Sequence, residues 1–235
     1  MGNRVLELKN SCKIYGTGEA KVCALKNINI KIEKGEFVAI VGPSGSGKST
    51  LLNVLGGIDS LSSGEYYLDS KKVSELSNIK MASLRNEEFG FVLQYFGLIN
   101  DYTVYENVVL PLKYSKKKIK RKKELVKEML KKLSIENKEN AYPTELSGGQ
   151  CQRVAIARAL INNPNVIFAD EPTGALDKET GIQIMEILKQ LNNDGKTIVI
   201  VSHDENIYSK CKRVIKIEDG NIISDLEGDK EYEKA

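Results

Sequence analysis

The sequence predicts an α/β protein built on a mostly parallel sheet, and three observations carry that prediction. In the last third, the β-branched runs NVIFAD (165–170) and KTIVIVSH (196–203) flank an amphipathic stretch, KETGIQIMEILKQL (178–191). Strand, helix, strand in that order pairs the strands in parallel. Second, the glycine-rich stretch GPSGSGKST (42–50) lies between the apolar run FVAIV and the helix-patterned STLLNVL. Third, 235 residues are enough for one large domain, or a core with a lobe, around a sizeable interior.

From the amino terminus, RVLELK, ALKNINIKI, EFVAIVG and EYYLD are short alternating or β-branched runs separated by glycine-containing turns, so the chain opens strand-rich. FGFVLQ is a further strand, ending at Gln94. From Tyr105 to Leu133 the pattern is mostly helical, and Val154, Ile156, Ala157 and Leu160 continue it at helix-compatible spacing. A helical lobe inserted between core strands is therefore expected. RVIKIEDG returns to strand, and the tail from Glu227 to Ala235, acidic and nearly devoid of apolar residues, is expected to fray.

A net charge of +3 from 35 basic and 32 acidic residues selects no partner by itself. Four scattered cysteines (Cys12, Cys23, Cys151, Cys211), with no C-x-x-C and one histidine, point to reduced thiols in cytosol. MGNRVLELKN lacks the apolar core of a signal peptide, and Leu6 stands where N-myristoylation needs Ser or Thr. No apolar run approaches the roughly 18 residues of a membrane span. A membrane connection is thus expected to run through a partner. The segment KYSKKKIKRKKELVKEMLKKL holds eleven Lys or Arg against two Glu, and reads as a solvated helix face, with an anionic-lipid contact as the alternative. It has no aromatic interleaving, so nucleic acid is not expected as a partner.

GPSGSGKST matches G-x-x-x-x-G-K-[ST] in the strand-to-helix context the motif requires. The loop of Gly42, Pro43, Ser44, Gly45, Ser46, Gly47, Lys48, Ser49 and Thr50 is expected to wrap phosphate oxygens with its backbone N–H groups. The three glycines permit the loop, Lys48 neutralises charge and Ser49 reaches Mg²⁺. Asp170 ends the strand in NVIFADEP, at the sheet edge where open α/β proteins bind ligands, and is expected to hold Mg²⁺ through water. Glu171 comes next, where a carboxylate can polarise an attacking water; the plainer reading is an Asp-Glu turn ahead of Pro172. His203 ends TIVIVSH on the same edge, placed to donate to a γ-phosphate. Gln94 has similar logic toward the metal or the water.

TELSGGQCQRVAIARAL (144–160) opens a helix with Gly148 and Gly149, each costing about 1 kcal/mol against alanine. Ser147 and Gln150 form a capping box, which explains those two residues only. Glycines in the first turn bare N–H groups at the positive end of the helix dipole, where an anion can approach.

With the P-loop, Gln94, LSGGQ, Asp170-Glu171, GALD and His203 in this order, the whole chain resembles an ABC-transporter ATPase subunit. The resemblance implies a P-loop NTPase core with an N-terminal antiparallel β subdomain (1–93 and 164–226) and an inserted helical subdomain (94–163). It implies ATP and Mg²⁺ as cofactors, and a second copy of the chain whose ATP faces Ser147, Gly148, Gly149 and Gln150. Tyr15 in KIYGTGE matches the aromatic that stacks on adenine, although an ordinary loop tyrosine reads the same way. Asp177 in GALD matches the loop that meets the opposite subunit, and also suits the N-cap of KETGIQIMEIL. An integral membrane permease, met at the cytoplasmic face of the membrane, is the other implied partner. GFVLQYFGLI, ENVVLPL, CQRVAIARAL and ADEPTGALDKETG resemble the macrolide-export and lipoprotein-release branch, with antimicrobial peptides, drugs or lipids as cargo class; a cell-division regulator on a septal membrane protein is the alternative. Two departures stand out: Cys151 replaces the usual glutamine, at a helix start where a thiol can be acidified and oxidisable, and Leu93 replaces a common phenylalanine. Six of the fifteen aromatics fall in residues 89–105. Phe89 and Phe91 read as core, whereas Tyr95, Phe96, Tyr102 and Tyr105 are expected to line a groove for the permease.

Overall fold

Alternation in the first strand runs further than its apolar letters suggest. In the computed structural model, β1 (Arg4–Tyr15) pairs antiparallel with β2 (Val22–Glu33) and, on its other edge, with β4 (Ser63–Leu68), to which the two-residue β5 (Lys71–Lys72) adds. Leu6, Leu8, Leu25, Ile28, Ile30 and Ile32 face inward and are buried. The structure describes residues 4–227, in two compact units, 4–76 with 197–227 and 77–196. Most of the tail expected to fray, residues 228–235, lies outside the described residues; Glu227 closes the last strand.

In the first unit, β3 (Phe37–Val41) is buried at every position and has parallel neighbours on both sides, β8 (Thr197–Val201) and β9 (Arg213–Glu218). A strand buried on both faces needs an unbroken apolar run, which FVAIV and TIVIV supply. β10 (Asn221–Glu227) adds antiparallel to β9. α1 (Lys48–Leu55) starts at the phosphate motif and buries Leu51, Leu52, Val54 and Leu55. A single turn, α7 (Glu205–Tyr208), follows His203.

In the second unit, α2 (Asn78–Glu88) leads into β6 (Phe89–Val92), which pairs in parallel with β7 (Val166–Asp170). Phe168 is fully buried, edge-on to Phe89 at 5.2 Å and stacked on Phe91 at 5.5 Å. The helical stretch expected over 105–133 is two helices, α3 (Val104–Lys113) and α4 (Lys122–Lys132), because seven of the eight residues 116–123 are basic and repel one another. A capping box between Thr103 and Glu106 starts α3. Asn107, fully buried, fastens the preceding loop: its amide donates to the carbonyls of Ile99, Tyr102 and Thr103 and accepts from the Ile99 N–H. α5 (Gly148–Leu160) and α6 (Lys178–Asn193) complete the unit.

Candidate active site

The phosphate motif lies at the end of β3 in the first unit. Gly42, Gly45 and Gly47 have φ of +151°, +77° and +105°, conformations that side chains oppose. Space makes the same demand at two of them: a Cβ on Gly42 would lie 2.0 Å from the Ile217 carbonyl oxygen, and one on Gly47 2.6 Å from that of Ala24. Lys48 bends back over the loop, its ammonium donating to the carbonyls of Gly42 (2.9 Å) and Pro43 (2.7 Å). Ser46 Oγ is buried with no hydrogen-bond partner.

Gly45, Gly47, Lys48, Ser49 and Thr50 line a cleft of about 440 Å³, walled opposite by Val22, Cys23, Ala24, Lys26, Asp219 and Gly220. Gly42 and Pro43 open into a second cavity of about 400 Å³, which His203 and Tyr208 also line, so the only histidine does come to the phosphate loop. Ser44 is exposed. Tyr15, at the end of β1, donates its hydroxyl to Asp59 Oδ2 at 2.5 Å, and the Lys13 ammonium lies 4.8 Å from its ring centroid. Partial burial, then the bond to Asp59, raises the phenol pKa, while the Thr50 side chain on the same oxygen lowers it.

The second unit carries the remaining candidates. Asp170 closes β7 and is half-buried; Glu171 follows with φ +44°, a left-handed conformation held by the Gly174 N–H donating to its carbonyl at 3.0 Å. Non-glycine residues in that region carry strain of about 1–3 kcal/mol and gather at functional positions. Gln94 follows β6, with its amide against Gly174: a Cβ there would meet Gln94 Nε2 at 2.9 Å. Asp177 caps α6 through the Thr180 N–H (2.9 Å) and Thr180 Oγ1 (2.6 Å), and these bonds, the side-chain one first, hold its carboxyl below the usual range.

The capping box at α5 is formed: Gln150 N–H donates to Ser147 Oγ (3.3 Å) and Ser147 N–H to Gln150 Oε1 (3.0 Å). The glycines between them also answer to packing. A Cβ on Gly149 would lie 2.4 Å from Thr180 Cγ2, and one on Gly148 3.2 Å from Leu176 Cδ2. The opening of α5 thus lies directly against the opening of α6.

Two expectations are corrected. Cys151 is not acidified: it is 6% exposed, its thiol bonds the Pro143 carbonyl at 3.5 Å, and burial pushes its pKa up. The aromatic groove exists but has other walls. It measures about 640 Å³ and is lined by Ile79, Phe89, Phe91, Pro111 and Tyr114, with Arg85, Lys116 and Arg158 as its charged residues. Tyr95, Phe96, Tyr102 and Tyr105 are absent from it. Phe96 turns instead toward Gly148, at φ +64°. Sequence reasoning missed Arg158, Asp59 and Thr180. Arg158, largely buried on α5, donates to the carbonyls of Phe96 (2.9 Å) and Gly97 (2.5 Å), just after Gln94, and burial lowers its pKa. Its spacing within ARAL suited an ordinary surface arginine, and nothing in the letters pointed at a loop some sixty residues earlier.

A glycine-shaped phosphate loop on a parallel α/β core, joined in one chain to a helix opened by Ser-Gly-Gly-Gln, defines the class of nucleotide-binding cassettes. The chain belongs to the ABC transporter family, whose model matches residues 25–174, and it is an ATP-hydrolysing ATP-binding unit of that family. It is 48% identical over 223 residues to the macrolide export ATP-binding/permease protein MacB of Mannheimia succiniciproducens, covering 95% of this chain and 35% of that protein. An uncharacterized ABC transporter ATP-binding protein of Methanocaldococcus jannaschii is 48% identical over 219 residues, 93% of this chain and 98% of the other. Among solved structures, a dimeric ATP-binding cassette in a post-hydrolysis state with ADP and Pi aligns with a TM-score of 0.87 at 46% identity, over 94% of this chain and 98% of that one. The chain spans about a third of the length of the macrolide exporters it matches.

Proposed function

We propose that this chain is the motor of an exporter: two copies close on two Mg-ATP molecules and drive a membrane permease that moves antimicrobial peptides, drugs or lipids. The phosphate loop carries the reading. Its three positive-φ glycines, folded-back lysine and buried, unpartnered Ser46 hydroxyl form a cradle that an anion's oxygens fit. In that reading residues 42–50 hold the phosphates, Ser49, Asp170 and Gln94 are the oxygen donors for Mg²⁺, and Tyr15 carries the base. Such a hard-oxygen set suits Mg²⁺, which usually takes one or two carboxylates plus phosphate oxygens, and among the described residues no cluster of three His, Cys, Asp or Glu forms a cage of its own. The bound ion supplies charge neutralisation at the phosphates. Glu171 accepts the proton of the attacking water, His203 donates to the terminal phosphate, and the bared amides after Ser147 meet the ATP of the second copy, with Asp177 at the same interface.

The related macrolide exporters are ATP-binding/permease proteins, and the similar solved cassettes are dimers, which supports both partners. Among the described residues no helix is long and apolar enough to cross a membrane. In this reading the permease holds the unit at the cytoplasmic face. The groove supports a docked segment: its apolar walls carry three cations and no acid. Glu171→Gln tests the mechanism, since it removes the base and leaves the phosphate contacts standing. Light scattering with Mg-ATP should show a stable dimer with turnover abolished; a variant that binds ATP and stays monomeric would count against the two-copy mechanism.

A further inference from the structure

We propose that Asp59 is the positioning residue of the nucleobase platform: it fixes the Tyr15 ring so that one face, and only one, is offered to the base. The inference rests on the reading above that Tyr15 carries the base. Tyr15 is 39% exposed at the last position of β1, where Gly16 turns the chain away at φ +73°. An exposed tyrosine at a strand end ordinarily samples several rotamers. Here one carboxylate holds both the ring's hydroxyl and the cation beside the ring. Asp59 Oδ2 accepts the phenol hydroxyl, and Asp59 Oδ1 pairs with the Lys13 ammonium at 3.4 Å. That ammonium, anchored also to the Ser60 carbonyl at 2.8 Å, covers one face of the ring. In this proposal the other face of the 39% exposed ring is assigned to stacking.

Asp59 is itself fixed to the phosphate site. Its N–H and that of Ile58 both donate to the Asn53 carbonyl, at 3.1 and 2.8 Å, within α1, the helix that begins at Lys48. Orientation of the ring is thereby referred to the helix whose first turn presents Lys48, Ser49 and Thr50. A platform already fixed in its bound orientation spares the ordering cost that a free side chain would add to binding.

The test separates base from phosphate. Asp59→Ala and Tyr15→Phe should each raise KM for Mg-ATP about fivefold, the ordering cost of one side chain, with the change lying in KM and not in kcat. Combined, they should cost no more than Asp59→Ala alone, because the bond that Tyr15→Phe removes is already lost there. Asp59→Asn, which keeps an oxygen for the phenol, should recover most of the loss. Inorganic tripolyphosphate, competing for a fluorescent ATP analogue, should bind all the variants equally, since it has no base. A fully additive double variant, or tripolyphosphate affinity falling together with that for ATP, would show damage to α1 instead of a loosened ring and overturn the proposal. Unchanged KM in Asp59→Ala, with ATP affinity lost in Tyr15→Ser, would overturn the positioning role and leave the platform standing. Full ATP affinity in Tyr15→Ser would remove the platform itself.

Discussion

Gly149 has two claims on it, packing and ligand, and one pair of substitutions separates them. A methyl at 149 would lie 2.4 Å from Thr180 Cγ2, whereas Thr180 Cβ and Oγ1 stand at 3.7 and 3.8 Å. Thr180 cannot easily swing away, since its hydroxyl and N–H both bond Asp177. Overpacking of this kind costs about 1–3 kcal/mol, against about 1 kcal/mol gained by replacing glycine within a helix. Gly149→Ala alone should therefore destabilise by roughly 0–2 kcal/mol. Thr180→Ser removes the colliding methyl and keeps the hydroxyl on Asp177. In that background Gly149→Ala should stabilise by about 0.5–1 kcal/mol, so the two changes couple by about 1–3 kcal/mol. Urea denaturation of the four proteins measures the cycle, and equal effects of Gly149→Ala in both backgrounds would refute the packing argument. ATPase activity then reads the second claim. If phosphate approaches the bared amide, the well-folded double variant should lose about 10²-fold in turnover, the scale of one misplaced donor. Wild-type turnover would assign Gly149 to packing alone.

Three further outcomes follow from the geometry. Cys23, exposed and lining the phosphate-loop cleft, should be alkylated by iodoacetamide first among the cysteines and be protected by Mg-ATP, whereas Cys151 and Cys211, the latter with its thiol pushed up to about 12 by burial, should resist; peptide mass spectrometry reads the order, and reaction at Cys23 indifferent to ATP would move the nucleotide out of the cleft. Asp177 has its folded pKa below the ordinary carboxylate value of about 3.9, so its cap contributes in full above that value and is lost as pH falls through the lowered one; between pH 5 and about pH 3 the acid loss of stability should be shallower in Asp177→Asn, and identical slopes would refute the cap. Ile79→Ser with Tyr114→Ser, both highly exposed, should leave folding and ATP affinity intact and abolish copurification with the permease, whereas undiminished copurification would move the docking face away from the groove.

What could be read from the letters was whatever depends on local order. FVAIV, VIFAD and TIVIV declare buried strands because an uninterrupted apolar run has no solvent face to offer, and GPSGSGKST declares its loop because three glycines at those offsets permit one backbone shape. The capping boxes at Thr103 and Ser147 are local too. The misses share a different cause. α2 carries no buried residue and little apolar periodicity, so its sequence gave the eye nothing to follow. β1 continues past Lys9 through polar Asn10 and Ser11, which the sheet tolerates because Ser11 Oγ donates to the Lys9 and Glu65 carbonyls at the irregular pairing there. Tyr95, Phe96, Tyr102 and Tyr105 cluster along the chain without lining this groove, since neighbours in sequence need not share a wall in space. β6 instead turns Phe91 to the groove with Tyr114, 23 positions on.

Within the second unit, the same helix that opens at Ser147 carries Arg158 about 16 Å further along, at 1.5 Å per residue. Arg158 lines the groove and holds the Phe96 and Gly97 carbonyls; Phe96 in turn lies beside Gly148, and Gln94, two residues earlier, lies against Gly174. Among the described residues no carboxylate pairs with this largely buried cation. Its charge is met by two carbonyls, and desolvation lowers its pKa. A carboxylate brought into the groove would find in Arg158 a cation already stripped of much of its water, where attraction is stronger than at an exposed lysine. Arg158 ties the groove to the loop just after Gln94, and one helix joins it to the amides of Gly148 and Gly149. The groove and the opening of α5 are thus joined by one helix and by the loop that Arg158 holds.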